Sequence, residues 1–175
     1  MVTVQDLAAL IRAVPDFPRA GVLFRDITPL LVHAAGFAFC IDALAEPWKD
    51  QQVQVVAGIE ARGFIFGAAL AHKLRAGFVP LRKPGKLPPP VSSMAYQLEY
   101  GSDQLEVQTD TLSRGERVLL VDDVLATGGT LEAAAKLLLQ RGVNLLGASV
   151  VAELRSLHGR ERWPGDLPLH SLLRY

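Results

Sequence analysis

Apolar residues along the chain fall into two kinds of run, short continuous stretches and stretches spaced at helical intervals, and their alternation predicts strands interleaved with helices. Residues 4–14 place Leu7, Leu10 and Ile11 on one face of a short amphipathic helix that Pro15 ends. Residues 15–31 are too broken by Pro and Gly for regular structure and too apolar for a solvated loop, which predicts a segment packed over the core. A helix over 36–48 follows, with Phe37, Cys40, Ile41 and Leu44 on its apolar face. Then come a strand over 53–58 and a helix over 62–74 whose buried positions are read as Phe64, Ile65, Ala68, Ala69 and Leu70. Residues 77–81 read as a further strand. The Pro/Gly-rich run that follows, with Arg82, Lys83 and Lys86 among its first residues, can be neither helix nor central strand. Tyr96 and the alternation at Leu105, Val107 and Thr109 suggest a hairpin. Val118 to Val121 form a continuous apolar run, the mark of a strand buried on both faces; a helix over 131–140 stops at Gly142, and a strand over 143–153 follows. The whole reads as an α/β fold: a mostly parallel twisted sheet flanked by helices, with ligands expected at the carboxyl ends of the strands.

Composition narrows this reading little but excludes several classes. Half of the 175 residues are hydrophobic, enough for one sizeable core, so residues 1–175 are taken as one domain with its core sheet at about 50–155. The formal net charge of zero gives no basic excess for nucleic acid. Cys40 is the single cysteine, cannot form an internal disulfide, and reads as a small core residue in a chain expected in the reducing cytoplasm. No secretory leader and no apolar stretch of membrane-spanning length is evident, so no membrane partner is expected.

The candidate chemistry is concentrated in residues 117–130. After the buried strand come Asp122 and Asp123, and then a turn, Ala126, Thr127, Gly128, Gly129 and Thr130, that opens a helix. A helix N-terminus offers unpaired N–H groups and a positive dipole end, glycines let backbone approach an anion, and threonine hydroxyls donate to it. The turn lacks the Lys of a P-loop, and the Rossmann glycine fingerprint is absent. Two carboxylates beside a phosphate site repel the ligand unless they meet hydroxyls or a cation, and a ribose 5-phosphate supplies the hydroxyls. The plainer alternative is that the acids cap a turn and Thr127 is an ordinary N-cap.

The wording of residues 121–130 resembles the phosphoribosyl pyrophosphate (PRPP) motif of the type I phosphoribosyltransferases, in the form found in its adenine-specific members. Three further segments resemble that family in the expected order. Residues 21–31 are similar to its N-terminal hood over the purine, which implies that Leu23, Phe24 and Arg25 line an adenine pocket within hood elements at about 1–35. Arg25 and Asp26 could equally be a local ion pair. Glu60, Ala61 and Arg62 match the turn that receives pyrophosphate through an unusual peptide conformation, although Glu60 could simply cap the following helix. Residues 82–96 resemble a flexible catalytic loop whose Lys83 and Lys86 would meet the leaving pyrophosphate, and 84–93 read as a lid; a solvated connection is the alternative. Glu99 matches a carboxylate that manages the purine imidazole proton. The resemblance implies a small-molecule reaction, PRPP plus adenine giving AMP and diphosphate, run with Mg2+ held mainly by PRPP and water, in a homodimer. Rivals at this stage are a transferase for hypoxanthine, guanine or xanthine, and a non-catalytic PRPP sensor.

Overall fold

The computed structural model describes residues 2–97 and 102–175. At its centre is a five-stranded sheet, all parallel, built from β3 (Val55–Ile59), β4 (Gly77–Leu81), β7 (Arg117–Leu125), β8 (Asn144–Glu153) and β9 (Leu169–Arg174) in the order β4-β3-β7-β8-β9. Helices α3 (Ala34–Ala45) and α4 (Gly63–Leu74) cover one face, and α5 (Gly129–Gln140) covers the other. β7 alternates between them: Val118 and Leu120 join the α5 side, Leu119 and Val121 the α3 and α4 side. That two-sided burial is why the strand reads as an unbroken apolar run.

Three sequence expectations change. The first helix, α1 (Val4–Ala9), is closed by a Thr3–Asp6 capping box at its start and ends before Leu10. Residues beyond it form β1 (Arg12–Pro15), paired antiparallel with β2 (Leu23–Asp26) inside the stretch expected to be irregular; α2 (Thr28–Val32) follows. Long-range pairing overrides the local helical spacing here, since Arg12 crosses the ladder to Asp26 and the hydroxyl and amide of Thr28, ahead of Arg12, hold the Asp26 carboxyl down to about 2. The second change is the rotation of α4. Its buried positions are Gly63, Phe66, Gly67, Leu70 and Ala71, while Ile65 is 41% exposed. Glycine decides this face: a Cβ on Gly67 would sit 3.3 Å from Gly58 Cα and 2.9 Å from the Phe78 ring, so the helix lies on β3 where only hydrogen fits. The third concerns the proline-rich connection. From Val91 it is strand, β5 (Val91–Gln97), paired antiparallel with β6 (Ser102–Gln108), and Tyr96, Leu105 and Val107 of this hairpin are buried with α5. Residues 84–90 are what remains of the connection before it. An Arg82–Glu106 backbone bridge ties the hairpin to the end of β4.

Among the described residues no helix is long and apolar enough to cross a membrane. Cys40 lies fully buried in the α3 face, and burial pushes its thiol up to about 12.

Candidate active site

Strand β7 does not stop at the acid pair. It runs to Leu125, pairing Asp122 with Val150 and Val124 with Ala152 of β8, whereas β3 leaves it after Val121. The acids therefore project past the carboxyl end of β3, over the start of α4, at the edge of an open crevice between two strand ends. Asp123 is 6% exposed, and its Oδ2 lies 2.7 Å from Arg62 Nε as an ion pair. That oxygen has no hydrogen-bond partner among the described residues, which leaves acceptor capacity for a ligand hydroxyl. Asp122 Oδ1 accepts the N–H of Asp123 at 2.9 Å, and a Cβ on Gly63 would come within 2.8 Å of that oxygen. Burial, and next the charge of Asp123, raise the Asp122 carboxyl well above the ordinary range.

The turn after β7 is a helix N-terminus open to anions. Gly128 is the N-cap of α5 with φ 83°, a conformation glycine tolerates, and Gly129 begins the helix; Thr127 is exposed and Thr130 half-buried. Thr127 makes no cap, contrary to the plainer reading, and neither acid caps the turn. Gly128 has a second reason to be glycine: a Cβ there would come closer than 3.0 Å to the backbone of Gly159, which packs behind Ala126 and Gly128.

At the end of β3 the Glu60–Ala61 peptide is cis, the unusual conformation expected of this turn. Arg62 is the N-cap of α4, and Glu60 does not cap the helix. Instead its carboxylate, with a side chain only 6% exposed, accepts from Arg82 Nε at 2.8 Å and Lys86 Nζ at 2.9 Å. Burial would raise the Glu60 carboxyl, but Lys86 and Arg82 outweigh it and hold it below its ordinary value. Lys83 is likewise occupied, donating to Asp103 and, at 2.9 Å, to the Tyr96 hydroxyl. The burial that would lower its ammonium is outweighed by these partners. Thr130 of the turn reaches the same Tyr96 hydroxyl at 3.4 Å. Thus both expected pyrophosphate lysines are present near the crevice, each held on a carboxylate.

Of the hood residues, Phe24 meets the site: the Arg62 guanidinium stands 5.3 Å from its ring, which also contacts Phe17 edge-on at 5.1 Å. Arg25 turns away and stacks on Tyr175 at 3.9 Å, and Asp26 pairs with Arg12, so no Arg25–Asp26 ion pair forms. Leu23 is half exposed. Glu99 lies outside the described residues. Sequence reasoning missed Arg82 and Tyr96 as partners, as well as Asp103 and Gly159. Asp103 carried a signal, since it shares the odd-numbered, inward register of Leu105 and Val107; Gly159 carried none. Among the described residues no cluster of three or more His, Cys, Asp or Glu could hold a metal. A formed cleft of about 320 Å³, lined by Trp48, Leu146 and His170 among others, sits at the opposite, amino end of the sheet, away from all of this chemistry.

The chain matches the phosphoribosyl transferase domain over residues 29–164. It is 55% identical over 174 residues to an adenine phosphoribosyltransferase of Acidobacterium capsulatum, covering 99% of this chain and 96% of that one. The crystal structure of adenine phosphoribosyltransferase from Rhodothermus marinus superposes with a TM-score of 0.94 at 48% identity, covering 98% of each chain. That of the Saccharomyces cerevisiae enzyme, complexed with an imino-altritol bisphosphate and adenine, gives 0.92 at 40% identity, over 97% of this chain and 98% of that one. Matched to these relatives over nearly the whole length of both chains, the chain belongs to the phosphoribosyltransferase family, among its adenine phosphoribosyltransferases.

Proposed function

We propose that this chain catalyses purine salvage, transferring the 5-phosphoribosyl group of PRPP to adenine to give AMP and diphosphate. One observation carries the assignment of the site: Asp123, Arg62 and Phe24 form a continuous contact from the acid pair through the pyrophosphate turn to the hood. A ribose with a leaving group on one side and a flat base on the other needs those three neighbours.

In the reaction the anomeric carbon–oxygen bond breaks with its electron pair leaving on pyrophosphate. A bond to the purine nitrogen forms, and the imidazole proton is released. The ribose passes through oxocarbenium character, so the protein's work is to hold, orient and exclude water. Residues 126–130 would grip the 5-phosphate, and Asp122 and Asp123 would accept from the ribose hydroxyls. Arg62, with Lys83 and Lys86 released from Asp103 and Glu60, would meet the leaving group beside Ala61. Glu99 is the proposed manager of the proton. Residues 84–90, the part of the expected lid that is not strand, would then close over the site, a motion that starts from the exchange of Lys86 between Glu60 and pyrophosphate.

Magnesium suits hard oxygen donors, and the two carboxylates here are of that kind, but Arg62 already stands as the cation beside Asp123. We therefore assign the ion chiefly to PRPP oxygens and water. When bound it would neutralise charge developing on pyrophosphate.

The two-stranded β1–β2 ladder leaves the outer edge of β2 with main-chain groups that no strand among the described residues pairs. Such an edge can offer a C=O and an N–H matched to adenine's amino group and N1, while Phe24 packs on the ring and Arg25 is engaged by Tyr175. Hypoxanthine would leave two mismatched groups at about 1 to 3 kcal/mol each. A homodimer in a reducing cytoplasm completes the reading; the lone, buried Cys40 fits the compartment.

The test is diphosphate release with PRPP and Mg2+ against adenine, hypoxanthine, guanine and xanthine. Fast turnover with adenine alone is expected. A preference for another base would move the chain to a sister activity, and PRPP binding without turnover on any base would make it a sensor. Arg25→Ala should keep adenine preferred; if it made hypoxanthine the better substrate, the side chain would be the reader.

A further inference from the structure

The phosphate turn has a back wall that none of the chemistry above uses. Behind it run two single-turn 3-10 helices, Arg155–Leu157 and Gly159–Arg162. Gly159 is buried, and a Cβ built on it would come closer than 3.0 Å to the Ala126 oxygen and the Gly128 nitrogen. Its φ lies outside the left-handed region, so space alone, and not conformation, demands glycine there. Gly128 and Gly159 thus face each other backbone to backbone, with no side chain between them.

The wall is tied down from three directions. Arg160 forks onto Glu153 at the end of β8, Nε to Oε1 at 2.8 Å and Nη2 to Oε2 at 2.6 Å; it also donates to Ser171 Oγ at 2.8 Å and to the Leu169 carbonyl at 3.0 Å on β9. Arg162 Nε reaches Glu132 in the first turn of α5 at 2.7 Å. Glu153 is buried, and its side chain is satisfied by this fork. A bidentate guanidinium–carboxylate pair fixes orientation as well as distance, so the residue next to Arg160 is set in place.

We infer that Gly159, held by the Arg160–Glu153 fork, is a positioning residue for the 5-phosphate: it fixes residues 126–128 from behind, so that the amides and hydroxyls of 127–130 are aimed before the ligand arrives. This rests on the assignment of that turn to the 5-phosphate. A turn of glycines without a backing has many conformations, and ordering it on binding would subtract from affinity; a backed turn has paid that entropy in folding. The effect should therefore fall on ligands that carry the 5-phosphate. Pyrophosphate and adenine, assigned to the Glu60–Arg62 turn and the hood, should not sense it.

The experiment measures dissociation constants of ribose 5-phosphate, inorganic pyrophosphate and adenine by calorimetry for wild type, Gly159→Ala, Arg160→Lys and Thr130→Val, with KM and kcat for PRPP alongside. Gly159→Ala should weaken ribose 5-phosphate about tenfold or more, the scale of one lost charge-assisted hydrogen bond, and leave the other two ligands within about twofold. KM for PRPP should rise more than kcat falls. Arg160→Lys, which keeps the charge but loses the fork, should show the same selectivity with a smaller factor, and it carries the comparison should Gly159→Ala fail to fold. An equal loss for all three ligands, or unchanged ribose 5-phosphate binding in both variants, overturns the inference. If Thr130→Val alone weakens ribose 5-phosphate, the turn assignment stands and the back wall falls; if Thr130→Val also binds it normally, the turn assignment falls and takes this inference with it.

Discussion

Two strand-to-helix turns stand side by side at the carboxyl end of the sheet, and they are built in opposite ways. The β7–α5 turn carries no charged side chain between Ala126 and Thr130 and is packed from behind by Gly159, itself anchored through Arg160 to Glu153. The β3–α4 turn is dense with charge: Glu60 holds Arg82 and Lys86, and Arg62 holds Asp123. One turn is backed by packing and carries no charged side chain. The other is already satisfied by the protein's own ions, which a ligand has to replace. That contrast suits a reaction in which one phosphate stays put while the pyrophosphate must arrive, be neutralised and leave.

Breaking the link between the two turns should have the largest effect. Asp123→Asn removes the charge that joins Arg62 to the ribose end of the crevice, and loss of a charge-assisted contact costs about 1.5 to 3 kcal/mol, or roughly 10-fold to 150-fold in kcat/KM for PRPP. Because Asp123 is buried and not solvent-facing, thermal stability should also fall. Wild-type kinetics in the folded variant would end its assignment to the ribose.

The anchoring of the neutral turn can be tested by acid. Arg160, acting against burial and joined by Ser171, holds the Glu153 carboxyl down to about 2 from an ordinary 4.5. A depressed carboxylate stabilises the fold above its unfolded pKa and loses that contribution as pH falls toward the folded value. Wild type should thus exceed Glu153→Gln by on the order of 2 to 3 kcal/mol at neutral pH, with the gap closing between about pH 4.5 and pH 2. Denaturant titrations across that range check it; a gap independent of pH would assign the difference to packing instead.

A smaller, oppositely directed change is expected in the charged turn. Glu60→Gln frees the half-exposed Lys86 and the less exposed Arg82, and because the Glu60 side chain is only 6% exposed, a modest loss of stability should accompany it. Pyrophosphate should then inhibit a few-fold more strongly, because less must be displaced to admit it, and added salt should reduce the gain. Weaker inhibition would mean that Glu60 orients those cations for the ligand and does not withhold them. The smallest effect belongs to Cys40, remote from both turns: with its thiol raised to about 12 by burial, it should ignore thiol reagents until the chain unfolds.

The sequence by itself determined a good deal of this protein. Unbroken apolar runs could only be strands covered on both faces, so the parallel sheet and its flanking helices followed from Val118 to Val121 and their counterparts. The glycine–threonine turn at the start of α5 and the acid pair before it were legible because backbone access and charge are properties of residue type, and Gly128, Thr130 and Asp122 carry them wherever they sit. Tertiary structure decided what depends on distant partners. The β1–β2 hood was illegible because its ladder joins residues eight to fourteen positions apart across a Pro-rich stretch whose local signals favour irregularity. The buried face of α4 turned on the size of Gly58 and Gly67 against Phe78, which hydrophobic spacing does not weigh. Which carboxylate holds each lysine, and that Gly159 stands behind Gly128, are facts of packing between segments far apart in the chain. No local pattern of residues encodes them, because their free energy exists only once the sheet has brought those segments together.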